Sequence, residues 1–217
     1  MRILIITTVI TAAILAAAPS WAQYIGCDSE ASVSCSGMRI SICPRGDFEE
    51  IRYGCGTGND YIEVIIRDLG SNGIEGIPWT DFWMNACDPQ YELGICVQHF
   101  VADSLTDVNG RTTFSGQISA GGCIPEGGIY IAYAGMVLLD SECINPICLD
   151  VVIVGPDLNS DSAVNLSDLS FFGQSYNHQL GDPEFNACCD FNDDDWCNLS
   201  DFSFFGEHYQ HQCCLLY

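Results

Sequence analysis

Apolar positions fall in short runs or alternate with polar ones through the first two thirds of the chain. Tyr61-Ile62-Glu63-Val64-Ile65-Ile66-Arg67 is rich in branched residues, as strands are, and Asp68 to Gly76 follows with three glycines and reads as a turn. The turn Asp107-Val108-Asn109-Gly110 leads into a predicted strand over Arg111-Thr112-Thr113-Phe114-Ser115. Ile129 to Leu139 and Cys148 to Val154 are further predicted strands. No long amphipathic helix is predicted ahead of residue 155. Short strands separated by glycine turns predict a β-sandwich over 23–154.

After Val154 the period changes. Leu169, Phe172 and Tyr176 stand at i, i+3 and i+7, and Phe202, Phe205 and Tyr209 repeat that stripe. Each stripe predicts one short helix. Val151 to Gly155 reads as a strand and Gly181 to Cys189 as a turn, so no helix of comparable pattern precedes either one. The predicted class is therefore a mainly β N-terminal sandwich followed by a small α module at 155–217.

The first apolar run has another meaning. Arg2 precedes an uncharged stretch from Ile3 to Ala18, and Pro19-Ser20-Trp21-Ala22 places small residues before a cut after Ala22. That is the layout of a secretory signal peptide over 1–22, and the run is shorter than the ~20 residues of a membrane span. All 14 cysteines lie beyond it, which predicts disulfides formed in an oxidising, extracellular or cell-surface setting. Cys87 with Cys96 and Cys143 with Cys148 are close enough in sequence for local bridges, and the pairs Cys188-Cys189 and Cys213-Cys214 are expected to share at least one. With Cys197 as a fifth cysteine there, one thiol stays unpaired or reaches the other domain.

Charge narrows the partners. The chain carries 29 acidic residues against 6 arginines and no lysine, a net −23. Phosphate backbones and anionic membranes are repelled by such a surface; multivalent cations are not.

One internal repeat says where the cations go. Val164-Asn165-Leu166-Ser167-Asp168-Leu169-Ser170-Phe171-Phe172-Gly173 returns 33 residues later as Cys197-Asn198-Leu199-Ser200-Asp201-Phe202-Ser203-Phe204-Phe205-Gly206. Counting from Asp157, oxygen side chains stand at positions 1, 3 and 5 (Asp157, Asn159, Asp161), at 9 (Asn165) and at 12 (Asp168). Counting from Asp190, they are Asp190, Asn192, Asp194, Asn198 and Asp201. Position 7 needs only a carbonyl, from Ala163 and Trp196. This is the spacing of a twelve-residue calcium loop, in which a hard cation gathers six to eight oxygens at about 2.3–2.6 Å. The pattern predicts two calcium ions. Position 12 is Asp, a methylene shorter than the usual Glu. Position 6 is Ser162 or Asp195 in place of Gly, and serine tolerates the required backbone less well, so the first loop is expected to be the more strained.

A calcium loop followed only by its exiting helix, present twice with Asp at position 12, resembles the dockerin module. The resemblance spans about Gly155 to Cys214. It implies two loops holding two helices that dock on a cohesin-like protein partner. The basic pair found in many dockerins is replaced by Gly173-Gln174 and Gly206-Glu207. These glycines cost helix stability and are expected to let the helices pack closely. In front, Val64-Ile65-Ile66-Arg67-Asp68 with Gly73-Ile74-Glu75-Gly76-Ile77, and Thr106-Asp107-Val108-Asn109-Gly110-Arg111-Thr112, resemble bacterial Ig-like or carboxypeptidase-regulatory-like β domains.

Other motifs are weaker. Asn165-Leu166-Ser167 and Asn198-Leu199-Ser200 match a glycosylation sequon but are better spent as loop position 9. His208, His211, Cys213 and Cys214 look like a soft-metal cluster, yet without zinc-type spacing they read as helix-surface histidines beside a disulfide. His99 lacks catalytic company, and Glu49-Glu50 would face opposite ways on a strand, so no catalytic residue is assigned. Trp79, Trp83 and Tyr91 offer sugar-stacking surfaces; core packing is the plainer reading. The expected function is a secreted, non-catalytic protein that attaches to a partner through calcium-loaded loops. The alternative is a carbohydrate-binding or polysaccharide-degrading component carried by such a module.

Overall fold

The computed structural model describes residues 25–46, 60–96, 101–116 and 118–213. The signal segment, Glu49-Glu50, His99 and Cys214 lie outside the described residues. The described chain is mainly β, with two α-helices near its end.

Among the described residues three sheets make the front domain. In the first, β1 (Glu30–Val33), β3 (Ile62–Ile65) and β6 (Arg111–Phe114) run antiparallel in the order β1-β3-β6. Alternation decides their facing. Ile62 and Val64 are buried while Glu63 and Ile65 are only partly covered, and Thr112 and Phe114 point inward between Arg111 and Thr113. In the second, β4 (Phe82–Ala86), β8 (Ile129–Tyr133) and β9 (Met136–Val137) are also antiparallel. Phe82, Phe114 and Tyr133 meet between these two sheets, with ring centroids 5.5 and 5.6 Å from Phe82. This sandwich-like packing matches the predicted class.

The third sheet departs from an all-antiparallel sandwich. Its order is β10-β2-β7-β5, from β10 (Val151–Val154), β2 (Met38–Cys43), β7 (Ile118–Gly121) and β5 (Gly94–Ile95). β2 is parallel to both β10 and β7. Parallel neighbours must be joined by long crossovers, and here the partners are far apart in sequence, beyond the reach of local pattern. β7 is buried at every position, as befits a strand covered on both faces.

The C-terminal repeat folds as two loop–helix units, with α1 at Leu166–Ser175 and α2 at Leu199–Glu207. They are related by an internal two-fold pattern. Position 7 of the first loop, Ala163, bridges to Gln212 after α2, while Trp196 of the second pairs with Gln179 after α1, in the short ladder of β11 (His178–Gln179) and β12 (Trp196–Cys197). Each repeat is completed by the tail of the other.

No linker separates the two regions. β10 runs directly into the first loop, and Cys123 and Val154 of the front domain share one apolar cluster with Val164, Phe172, Cys189, Phe191, Cys197 and Phe205. The predicted boundary at 154/155 is thus a change of structure within a packed body.

Cysteine pairing overturns the local expectations. Between pairs of described residues the bridges are Cys27–Cys143, Cys87–Cys148, Cys96–Cys213 and Cys123–Cys188. Neither Cys87–Cys96 nor Cys143–Cys148 forms, and Cys188 and Cys213 each reach into the front domain instead of joining one another. Sequence proximity is the wrong guide because Cys96, just after β5, and Cys123, just after β7, are held by the sheet beside the docked repeat. Cys189 and Cys197 are buried thiols next to each other, and that contact with burial pushes the Cys189 pKa up. Several disulfides suit an extracellular or secreted protein. Among the described residues no helix is long and apolar enough to cross a membrane.

The glycines of the helices do not serve close packing. A Cβ built on Gly173 or Gly206 meets nothing within 4 Å, so both face open space.

Candidate metal centre

Each loop curls through backbone conformations that few side chains favour. Ser160 and Ser162 have φ of 60° and 71°, and Asp193 and Asp195 have 61° and 66°. The left-handed residues recur at the 33-residue spacing, including Asn177 and Gln210 at 67° and 69°. Position 4 as well as position 6 carries this demand. The two loops adopt the same curl, and the first meets it with serines, which the left-handed region suits less well than aspartates.

The curl aims the carboxylates inward. Ligand oxygens of Asp157, Asp161 and Asp168 lie within 4.8 Å of one another, and so do those of Asp190, Asp194 and Asp201. Asp157, Asp168, Asp190 and Asp201 are buried, whereas Asp161 and Asp194 sit at the exposed lip. Backbone amides hold each group. The Asp161 and Ser162 N–H groups donate to the two oxygens of Asp157 at 3.2 and 2.8 Å. In the second loop the Asp194 and Asp195 N–H groups do the same for Asp190 at 3.2 and 3.0 Å. Position 12 is held from both sides of its loop. Asn159 and Asn165 donate to Asp168 at 3.1 and 2.9 Å, and Phe191 and Asn198 to Asp201 at 2.7 and 2.9 Å. The Asn192 N–H also reaches Asp201 Oδ1 at 3.4 Å, and the two oxygens of Asp157 and of Asp190 are each held by a different backbone amide.

Position 9 has another local task. The Asn165 side-chain oxygen accepts from the Ser167 N–H at 2.8 Å, and Asn198 does the same for Ser200 at 2.7 Å. They are the N-caps of α1 and α2, and Asp168 and Asp201 complete capping boxes. A loop position 9 that acts through water accommodates this orientation. Ala163 presents its carbonyl beside the cluster, where the Asn165 amide donates to it at 3.1 Å. Trp196 holds the equivalent place, its N–H bonded to Asp194 at 3.0 Å. Asn159 and Asn192 contact Asp161 and Asp194 at 3.1 and 3.0 Å.

Crowding these acids has an electrostatic cost. Burial, and then the neighbouring Asp168, raises the Asp157 pKa to about 7. Burial likewise raises Asp168, Asp190 and Asp201, with Arg39 partly offsetting the effect at Asp190. Arg39 lies on β2, and donates to the Asp190 carbonyl and to the Asp193 carboxylate, the latter at 2.7 Å. Buried carboxylates without an equal number of cations are the donor set a hard divalent ion compensates. The residues present therefore fit calcium.

The front domain supports the first loop from below. The Gly122 N–H donates to the Asp157 carbonyl at 2.8 Å, and the Ser160 hydroxyl to the Glu92 carbonyl at 3.0 Å. These seats were not legible in the repeat itself.

The helices leave an apolar face uncovered. Phe172 and Phe205 are buried between the repeats, but Leu166, Phe171, Tyr176, Leu199 and Phe202 are exposed. Tyr176 and Phe202 pack ring to ring across the two helices, 6.5 Å apart. The predicted stripes thus divide into a buried centre and an exposed rim. The sugar-stacking candidates do not assemble: Trp79 and Tyr91 pack against the core, while Trp83 is exposed.

No family model and no curated protein matches the chain. Among solved structures it is similar to a chain of an N-terminal interface mutant of a type II cohesin–X–dockerin complex from Acetivibrio cellulolyticus, at 14% identity and a TM-score of 0.31, covering 84% of this chain and 97% of that one. A C-terminal interface mutant of a type II complex from the same organism gives 16% identity and a TM-score of 0.28, over 64% of this chain and 87% of that one.

Proposed function

We propose that this is an exported, non-catalytic protein that binds two calcium ions in the loops Asp157–Asp168 and Asp190–Asp201, and uses the calcium-loaded module to attach to another protein. The observation that carries the reading is the convergence of three carboxylates in each loop, two of them buried, at identical positions of a 33-residue repeat. Asp157, Asp161 and Asp168, with the Ala163 carbonyl and the Asn159 side chain, would hold one ion. Asp190, Asp194 and Asp201, with the Trp196 carbonyl and Asn192, would hold the other. Asn165 and Asn198 would contribute through water while capping their helices. Calcium supplies the missing positive charge, and each loop then fixes the start of its helix.

Attachment is supported by the exposed rim of Leu166, Leu199, Phe171, Tyr176 and Phe202. Apolar side chains gathered on two helices whose start is set by metal suit a dockerin-like mode of docking on a cohesin-like partner. The front β domain is the displayed part, and the N-terminal segment is the export signal. Calcium titration by calorimetry tests the core of the proposal. Two binding events are expected, one lost in Asp157→Ala and the other in Asp190→Ala. Absence of heat at millimolar calcium would remove its basis.

A further inference from the structure

We propose that Cys43, His208 and His211 form a third metal site, unlike the carboxylate loops, for a borderline-soft divalent transition metal such as zinc. The two imidazole Nδ1 atoms lie 3.3 Å apart, and the Cys43 sulfur lies 3.5 Å from Nδ1 of His211. All three donor atoms fall within 4.8 Å of one another. A tetrahedral zinc with Zn–N of about 2.05 Å and Zn–S of about 2.3 Å places its ligands about 3.3 Å apart for N···N and about 3.6 Å for N···S. Two edges of that tetrahedron are already in place.

The site is assembled from both ends of the chain. Cys43 closes β2 and is fully buried; His208 directly follows α2 and is 6% exposed; His211 is half-buried in the next turn. His208 is therefore no helix-surface histidine. Cys213 is bonded to Cys96 and is not a donor. The His211 backbone is pinned, its carbonyl accepting from the Val164 N–H at 2.7 Å. The two rings cross at 84° with centroids 5.2 Å apart, so their nitrogens approach a common point from different planes.

The repeat supplies an internal contrast. The residues one period earlier are Ser175 and His178, and His178 faces Asp182 and Glu184 at 3.6 and 3.8 Å. The second repeat abuts β2 through Arg39 and Cys43, and there two imidazoles meet a thiol. Thiolate and imidazole select zinc-like ions over calcium, and among the described residues the cluster holds no carboxylate. Binding replaces the Cys43 S–H bond with an S–metal bond and releases the proton to solvent. The ion would tie the end of the chain to the central strand of the mixed sheet. The inference rests on donor geometry and stands apart from the calcium reading.

Zinc titration of the full exported chain, with a competing chelator and with cobalt as a spectroscopic substitute, is the test. The expected result is one zinc per chain and a thiolate-to-cobalt charge-transfer band. Cys43→Ser should abolish the band, and both Cys43→Ser and His211→Gln should weaken zinc binding on the order of 100-fold or more. Circular dichroism should be unchanged in the half-buried His211→Gln, which separates ligand loss from unfolding should Cys43→Ser fail to fold. No zinc uptake by the native chain, uptake indifferent to both substitutions, or peptide mapping that finds Cys43 in a disulfide would each overturn the proposal.

Discussion

Gly121 at the end of β7 lies directly beneath Asp157, the first residue of the first loop. A Cβ at Gly121 would stand 1.7 Å from Oδ2 of Asp157, and the same carboxylate is fully buried. The sheet thus sets the height of the first carboxylate, and only a residue without a side chain allows it.

Gly121→Ala is expected to displace Asp157 and to weaken the first calcium site by roughly 10- to 100-fold, the equivalent of about 1–3 kcal/mol of overpacking. No described glycine makes this contact with Asp190, so the second site should keep its affinity. Calorimetry resolving two sites checks it; an equal loss at both would contradict the local account.

The helix glycines make the opposite prediction. Gly173 and Gly206 face open space within α1 and α2. Alanine at either should raise stability by about 0.8–1.0 kcal/mol through helix propensity. Thermal or denaturant unfolding of the calcium-loaded protein measures it, and destabilisation would mean the glycines do pack against something.

Calcium-free protein should lose stability as pH rises. The Asp157 pKa is about 7 in the fold against an ordinary 3.8, so the native state holds a proton that the unfolded chain has already released. That contribution is fully present below about pH 3.8 and is lost as pH climbs through about 7. The melting temperature in chelator should therefore fall over this window, while calcium, replacing the proton, should suppress the fall. Parallel pH profiles with and without calcium would refute it.

The bridge Cys123–Cys188 fastens the repeat to the front domain across 65 residues. Replacing both cysteines with alanine should cost about 4 kcal/mol on the loop-entropy model. Limited proteolysis should then cut first in the 181–189 turn, with the C-terminal piece still held to the front domain by Cys96–Cys213 until a reductant is added. Unchanged cleavage would show that the shared apolar cluster and the Cys96–Cys213 bridge hold the junction without it.

The two carboxylate loops were readable from sequence because the side chains that converge in each fall within twelve residues, and a ring that small is governed by local spacing. Even so, the capping task of Asn165 and Asn198 emerged only with the helix starts in place. Strands such as Ile62–Ile65 and Arg111–Phe114 were legible from branched composition and adjacent turns. Met38–Cys43 was not, because a strand buried on nearly every position has no alternation to reveal it.

What the sequence determined alone is the pair of loops, their helices and the β character of the front. What only the tertiary structure decided is everything that joins distant segments: the parallel pairings of β2, the bridges Cys96–Cys213 and Cys123–Cys188, the seat of Asp157 on Gly121, and the meeting of Cys43 with His208 and His211. The reason is physical. Local order follows from spacing along the backbone, whereas contacts such as that between Cys43 and His211, 168 residues apart, depend on which end of the mixed sheet the second repeat packs against.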